Sequence, residues 1–258
     1  MAKRSGLGAR LFWNGINISG DVSAVDTIAS PRATQDRTGI DKSAYERGYL
    51  KADGRIGFAS FFNDGDAANR AAAAGSSFHE LSRMVATDVV LACCVGASLG
   101  DACAMLVAQQ AKLDVSRPGD GSLAMAAEGQ ASAGHPLEWG EMLTAGQITH
   151  ASADSSTGLV TAQTTDGGVG YLFYEERDSG TPTFVIEDSS DTTNGIDGTW
   201  GTLLTFTGTG GASSFGERKT VTGTIEKGLR ATTTGTFVNA DFAMAFRRGT
   251  AEDDVSLA

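Results

Sequence analysis

Proline, aromatic residues and histidine are all scarce in this sequence, and each scarcity removes a class of explanation. Only 3 histidines are scattered through 258 residues, and the cysteines form no C-x-x-C pair, so no ligand spacing for zinc is present. The 3 cysteines, Cys93, Cys94 and Cys103, are odd in number, two are adjacent, and all lie in an apolar stretch. They read as buried thiols rather than a disulfide framework. No apolar run approaches the roughly 20 residues that span a bilayer, and the opening "MAKRSGLGARLFW" lacks the apolar stretch and small-residue cleavage site of a signal peptide. A chain made in and kept to the cytosol, without a membrane partner, is the expectation. The formal net charge of −11 opposes tight binding to a nucleic acid backbone, which depends on Lys and Arg displacing counterions.

With 4 prolines and 7% aromatics, but 34 glycines and abundant Ala, Ser and Thr, the composition is that of many short strands joined by glycine turns. The fold class expected is mainly β. "RLFWNGINISGDVSAVDTIAS" alternates aromatic and β-branched residues around Gly15 and Gly20, which predicts a hairpin opening the fold. "RIGFASFFND" predicts a buried strand. "DAANRAAAAGSSFHELSRM", 66 to 84, predicts the helix, because alanine loses least on entering one; Asp66 caps its start, Gly75 breaks it, and Ser77 with Glu80 fits a capping box. "TDVVLACCVG", "DACAMLVAQQAKLDV" and "GSLAMAAEGQASA" read as strands, the middle one also compatible with helix. After residue 146 the chain becomes rich in Thr, Gly and Asp. Six segments from "GVGYLFYEER" to "ADFAMAFRRG" predict an antiparallel sandwich, giving domains at 1–145 and 146–258, with the acidic tail "TAEDDVSLA" on the surface.

One motif invites an enzymatic reading. Gly96-Ala97-Ser98-Leu99-Gly100 fits G-x-S-x-G, in which a strained strand-to-helix turn exposes a serine nucleophile. A carboxylate and then a histidine must follow, on alternating strands and helices. Downstream stand only His135 and His150, without such alternation, so "GASLGDA" reads better as a hairpin turn. "DSSDTTNGIDG" lacks the alternating ligands and closing glutamate of a calcium loop, and "DGGVG" opens no helix and is no phosphate loop. No catalytic residue, cofactor or metal is expected, and the chain reads as a non-enzyme.

The order of "SGDVSAVDTI", "TGIDKSAYER", "DGRIGFASFFN", "GASLGDACAMLVAQQ" and "PLEWGEMLTAG" over the first 145 residues resembles the major tail (tail tube) proteins of long-tailed bacteriophages, particularly those of actinobacterial hosts. The second half is similar to the β-sandwich that often follows in them. The resemblance implies a tube domain built as a β-barrel or sandwich with one flanking helix and an outward-facing second sandwich. It also implies six copies per ring, joined edge to edge and stacked into a hollow tube in the virion tail, assembled in the host cytoplasm. A tape measure protein and a tail terminator are the implied partners, and genome DNA passes through without specific binding.

Within that frame the stretch from Ser30 to Gly54 is too long and too densely charged for a surface turn, and loops of this length inside compact domains are usually functional. Arg32, Asp36, Arg37, Asp41, Lys42, Glu46 and Arg47 are the expected inter-subunit or ring-stacking residues. A wall rich in Asp and Glu is expected to line the bore. The alternative is a carbohydrate-binding sandwich that stacks sugars on Trp200, Tyr171 and Tyr174; a serine esterase using Ser98 ranks third.

Overall fold

A computed structural model describes residues 8–64, 77–83, 87–207 and 213–249. The elements among these, in chain order, are β1 (Arg10–Trp13), β2 (Ile16–Asn17), β3 (Val22–Ala29), β4 (Arg32–Asp36), β5 (Arg47–Ala52), β6 (Arg55–Phe61), α1 (Ser77–Ser82), β7 (Val89–Cys94), β8 (Ala102–Ser116), β9 (Ala124–Ala131), β10 (Glu138–Met142), β11 (Ile148–His150), β12 (Asp154–Ser155), β13 (Leu159–Val160), β14 (Gly168–Ser189), β15 (Gly201–Thr205), β16 (Phe215–Val221) and β17 (Gly228–Arg248). The protein is mainly β, as its composition implies. All strand pairings named below are antiparallel. One 15-stranded sheet runs β15-β14-β17-β10-β8-β7-β1-β2, with β6 and β3 attached through β9; β4 and β5 form a separate two-stranded ribbon. No helix among the described residues is long and apolar enough to cross a membrane.

The strand β7, "VVLACC", is buried along its whole length because a different core covers each of its faces. Val89, Leu91 and Cys93 join Trp13, Ile56, Phe58 and Leu106 on one side; Val90, Ala92 and Cys94 join Phe12, Met105, Tyr171 and Phe173 on the other. A strand covered on both faces shows a continuous apolar run instead of alternation. A third cluster, with Leu172, Tyr174, Phe184 and Phe242, fills the second half of the chain. The middle cluster therefore takes residues from both halves, and its Phe12 and Phe173 rings stack with centroids 5.0 Å apart. Full burial of one such ring contributes about 1.5–3 kcal/mol. Residues 143–147 connect β10 to β11, and both strands pair with β17.

Three sequence expectations change. Of the six strands anticipated after residue 166, the first two fuse into the 22-residue β14 and the last two into the 21-residue β17. These two pair along their full length, with one register shift between Tyr174 and Glu176. Gly180 (φ +84°) and Gly235 (φ +95°) adopt left-handed backbone, yet they twist the ladder locally without reversing the chain, because the partner strand continues past both. The cysteines are the second change. Cys94 lies directly opposite Cys103 across β7 and β8, and the two form a disulfide, leaving Cys93 as a buried thiol. Spacing alone hid this pairing, which depends on hairpin register. Third, the helix α1 begins at Ser77, but its backbone N–H donates to Asp21 (3.1 Å), while the Ser77 hydroxyl has no partner. The carboxylate of a distant turn does what the capping box was to do. The stretch 65–76, Met84 and the tail 250–258 lie outside the described residues. The segment compatible with strand or helix, 101 to 115, forms strand β8 from Ala102 on; it pairs first with β7 and then with β9, shifting register between Gln110 and Lys112.

Candidate assembly surface

Between Pro31 and Asp53 the chain leaves the main sheet as a hairpin arm. Its base is closed by the Asp53 N–H donating to the Pro31 carbonyl (2.8 Å), and Gln130 of β9 donates to both carboxylate oxygens of Asp53 (2.9 Å each). β4 and β5 pair Arg32 with Ala52 at the base and Asp36 with Arg47 further out. Beyond them side chains replace the ladder: Asp36 accepts from the Thr38 N–H and hydroxyl (2.9 and 2.5 Å), the Thr38 oxygen accepts from the Glu46 N–H (2.8 Å), and the Arg37 N–H donates to the Glu46 carbonyl (2.8 Å). The Thr38 hydroxyl and then its N–H hold the Asp36 carboxyl below its usual range. The Arg47 guanidinium stands 5.6 Å over the Tyr45 ring.

Each predicted arm residue can now be placed. Asp36, Arg37, Glu46 and Arg47 come together in adjacent rows, Asp41 and Lys42 sit at the tip, and Arg32 is at the base. Arg32 is half-buried and the other six are exposed. Sequence reasoning missed the apolar residues between these charges: Ile40 is fully exposed and Tyr45, Tyr49 and Leu50 are exposed as well. Their signal was visible as large apolar side chains scattered through a polar stretch with no core face. From Arg32 to Ala52 there are five basic and three acidic residues, a net of +2, so the remainder of the chain carries −13 of the total −11. At the arm's root lies β3, which pairs with β6 on one side; among the described residues no strand pairs with its other side.

Behind the arm's root, the seam between the two halves is fastened by ionic contacts that are buried. Glu138 of β10 is 1% exposed. Arg218 of β16 grips it with two bonds, Nε to Oε2 (2.8 Å) and Nη2 to Oε1 (2.9 Å), the paired geometry that makes guanidinium–carboxylate contacts strong. The Tyr171 hydroxyl donates to Oε2, Arg247 of β17 lies 3.6 Å from Oε1, and Arg218 Nη1 is 3.2 Å from His135 Nε2. Burial pushes the Glu138 carboxyl up, but Arg218, Tyr171 and Arg247 outweigh it and hold the group below its ordinary value. Burial, then the Glu138 charge, push the Tyr171 hydroxyl well above its usual range. With its carboxylate enclosed, this cluster can bind strands together but cannot reach a substrate.

The geometry does not support the two alternative site readings. Ser98 lies in the turn of the antiparallel β7–β8 hairpin, where its N–H donates to Asp101 (2.8 Å); no helix follows it. His135 faces Arg218 and His150 faces the Thr233 hydroxyl (2.7 Å), so neither is placed to serve the serine. Tyr171 and Tyr174 are fully buried. Trp200 is half-buried, carries Arg230 4.4 Å over its ring and donates its indole N–H to the Asp197 carbonyl (3.1 Å), so one face of the alternative's sugar platform is already taken by a guanidinium. "DSSDTTNGIDG" is closed on itself: Asp197 accepts from Thr192, Thr193 and the Asn194 N–H. Among the described residues no three His, Cys, Asp or Glu side chains are grouped to hold a metal.

The chain matches no family model and no curated protein. Among solved structures it aligns over 93% of its length with 99% of the SPP1 Dit (gp 19.1) protein, described as a paradigm of the hub adsorption apparatus in phages infecting Gram-positive hosts, at 8% identity and a TM-score of 0.32. Chains from the phage p2 baseplate in its activated conformation align similarly: with Sr, 93% of this chain and 98% of that one at 9% identity and TM-score 0.34; with Ca, 94% and 99% at 8% and 0.33. Likenesses this loose establish no shared fold, and nothing about this chain follows from them.

Proposed function

We propose that this protein is a structural subunit of a long-tailed phage tail, polymerising through its arm into rings that stack as the tube around the genome's exit path. The observation that carries this is the arm. An isolated two-stranded ribbon is at best marginally stable in water, and this one exposes Ile40, Tyr45 and Tyr49 instead of packing them. Such a ribbon gains most from a second surface, and a net +2 segment on a chain otherwise at −13 is complementary to another copy of the same chain. The open side of β3 adds an edge ready to pair with a neighbour's strand. Copies joined by one patch on a different patch form closed rings when the rotation closes.

In this reading the resemblance supplies the rest: six copies per ring, a tape measure protein inside the growing tube, a terminator at its end. The acidic body repels phosphate over about 8 Å at physiological salt, which lets DNA slide without adhering. Negative-stain electron microscopy of concentrated protein tests the proposal. Stacked rings are expected; a strictly monomeric species in every condition overturns self-assembly, and single rings that never stack overturn the tube.

A further inference from the structure

The strand β8 changes partners along its length. Ala108 pairs with Val89 of β7 on one side and with Ala131 of β9 on the other. Beyond it β9 continues beside β8 as far as Ser116, but the pairing with β7 has ended, so residues 109–116 present one side on which no strand pairs among the described residues. Burial follows the same division: β8 is buried from Cys103 to Ala108, whereas Lys112, Asp114, Val115 and Ser116 are exposed. Together with the open side of β3, the run β3-β6-β9-β8 therefore ends in two free edges, each a row of backbone donors and acceptors ready for another strand.

The two edges fit each other. Every pairing in the run is antiparallel, so with an even number of strands β3 and β8 point in opposite senses. A second copy turned about an axis along the strands sets its β3 antiparallel to β8 of the first, with neither copy inverted. Their heights agree as well. Across the rungs, Val25 is level with Phe58, Ala127 and Leu113, and Val22 is level with Ser60, Met125 and Val115. Copies at equal height thus oppose Val25 to Leu113 and Val22 to Val115. Val22 and Leu113 rest against the cluster of Trp13, Phe58 and Leu106, and Val25 and Val115, paired with Phe58 and Met125 on that same face, are 37% and 48% exposed; the arriving edge would cover both. Edges are commonly guarded by proline or by free lysine. Neither edge holds a proline, and the single lysine, Lys112, is engaged by Asp114 (2.9 Å).

We infer that β3 of one copy pairs antiparallel with residues 109–116 of β8 in the next. This rests on the self-assembly proposed above and gives its lateral contact a definite form: a backbone ladder over a row of valine and leucine. The arms take no part in that ladder, because all of them leave the sheet at its Ala29 and Arg55 end.

A chain carrying Val25→Cys and Leu113→Cys in a Cys93→Ala background tests the pairing under mild oxidation. Within one chain these positions are three strand spacings apart, roughly 14 Å, too far for a disulfide, so any bond joins different copies. A ladder of covalent oligomers on denaturing gels is expected, with none from either cysteine alone. Rings or tubes by electron microscopy, with no ladder from any combination of Val22→Cys or Val25→Cys with Leu113→Cys or Val115→Cys, overturn this contact and leave self-assembly standing; no assemblies of the parent chain and no ladder overturn both. Val115→Lys is expected to raise the concentration needed for assembly about tenfold without moving the denaturation midpoint, and an unchanged concentration overturns the inference. Hydrogen exchange on the unaltered protein separates the other occupant. The amides of 22–29 and 109–116 are expected to gain protection only where assemblies form, whereas full protection in the dilute monomer means that the chain's own residues cover these edges and overturns the inference.

Discussion

The seam and the arm are both rich in arginine and carboxylate, yet they use charge in opposite ways. At the seam Glu138, Arg218 and Tyr171 are buried and consume one another's bonding capacity; such a cluster is intolerant of losing a member, since the remaining charge is left without water or partner. In the arm the charged groups sit in solvent, where a pair contributes little to stability, so their value to the monomer is small. The contrast teaches that a charged residue's position relative to the core, and not its type, decides whether it specifies the fold or is left over for other chains.

The most drastic way to probe this contrast is to remove the arm's outer part. Deleting residues 34–46 should abolish tubes altogether while leaving a soluble monomer whose denaturation midpoint is close to that of the parent; normal tubes from this variant would sink the assembly role. Cutting the seam should do the reverse. Glu138→Ala is expected to lower unfolding free energy by about 3–5 kcal/mol, the cost typical of stranding a buried partner such as Arg218, as read by urea or guanidinium titration. A loss below about 1 kcal/mol would erase the distinction between the two regions.

A subtler measurement uses pH. The Glu138 carboxyl is held below its ordinary 4.5, so its contribution is fully present above that value and fades as pH falls through the lowered one. Stability should therefore decline below about pH 4.5, and Glu138→Gln should flatten that part of the curve; the same slope in both proteins would show that the seam does not titrate as described. The smallest effect belongs to Ser98→Ala. Its backbone N–H, not its side chain, makes the bond to Asp101, so stability should move by no more than about 0.5 kcal/mol. Any ester hydrolysis in the preparation should be equal for parent and variant, and a drop confined to the variant would restore the nucleophile.

What could be read from sequence followed the range of the physics involved. The strands β6 and β7 were legible because apolar runs and alternation are local signals, and the turn at Ser98 was legible because Gly96 and Gly100 favour the left-handed backbone they adopt (φ +136° and +80°). The continuity of β14 past Gly180 was not, because a glycine reads the same whether the chain turns or twists; only the partner β17 decides. Tyr171 and Tyr174 lie in a strand as read, but what covers them comes from far along the chain: Phe242 shares a cluster with Tyr174, and Ala243 and Ala245 share one with Tyr171. The Cys94–Cys103 bond and the Asp21 contact to α1 likewise depend on register and long-range packing. The arm's charged residues are visible as a charge-dense stretch in the sequence, whereas the exposure of its tyrosines is not, because exposure of a large ring is a tertiary outcome.

The uninterrupted pairing of β14 with β17 has a mechanical consequence. At about 3.3 Å per residue two strands of this length reach roughly 70 Å, and a pull applied along their direction loads the whole ladder in shear, so that many hydrogen bonds must yield together. A pull across the strands would instead open them one bond at a time. The chain is therefore anisotropic in strength, stiff along one axis and easily peeled along another, and tension carried between subunits would be best resisted where it runs parallel to this pair.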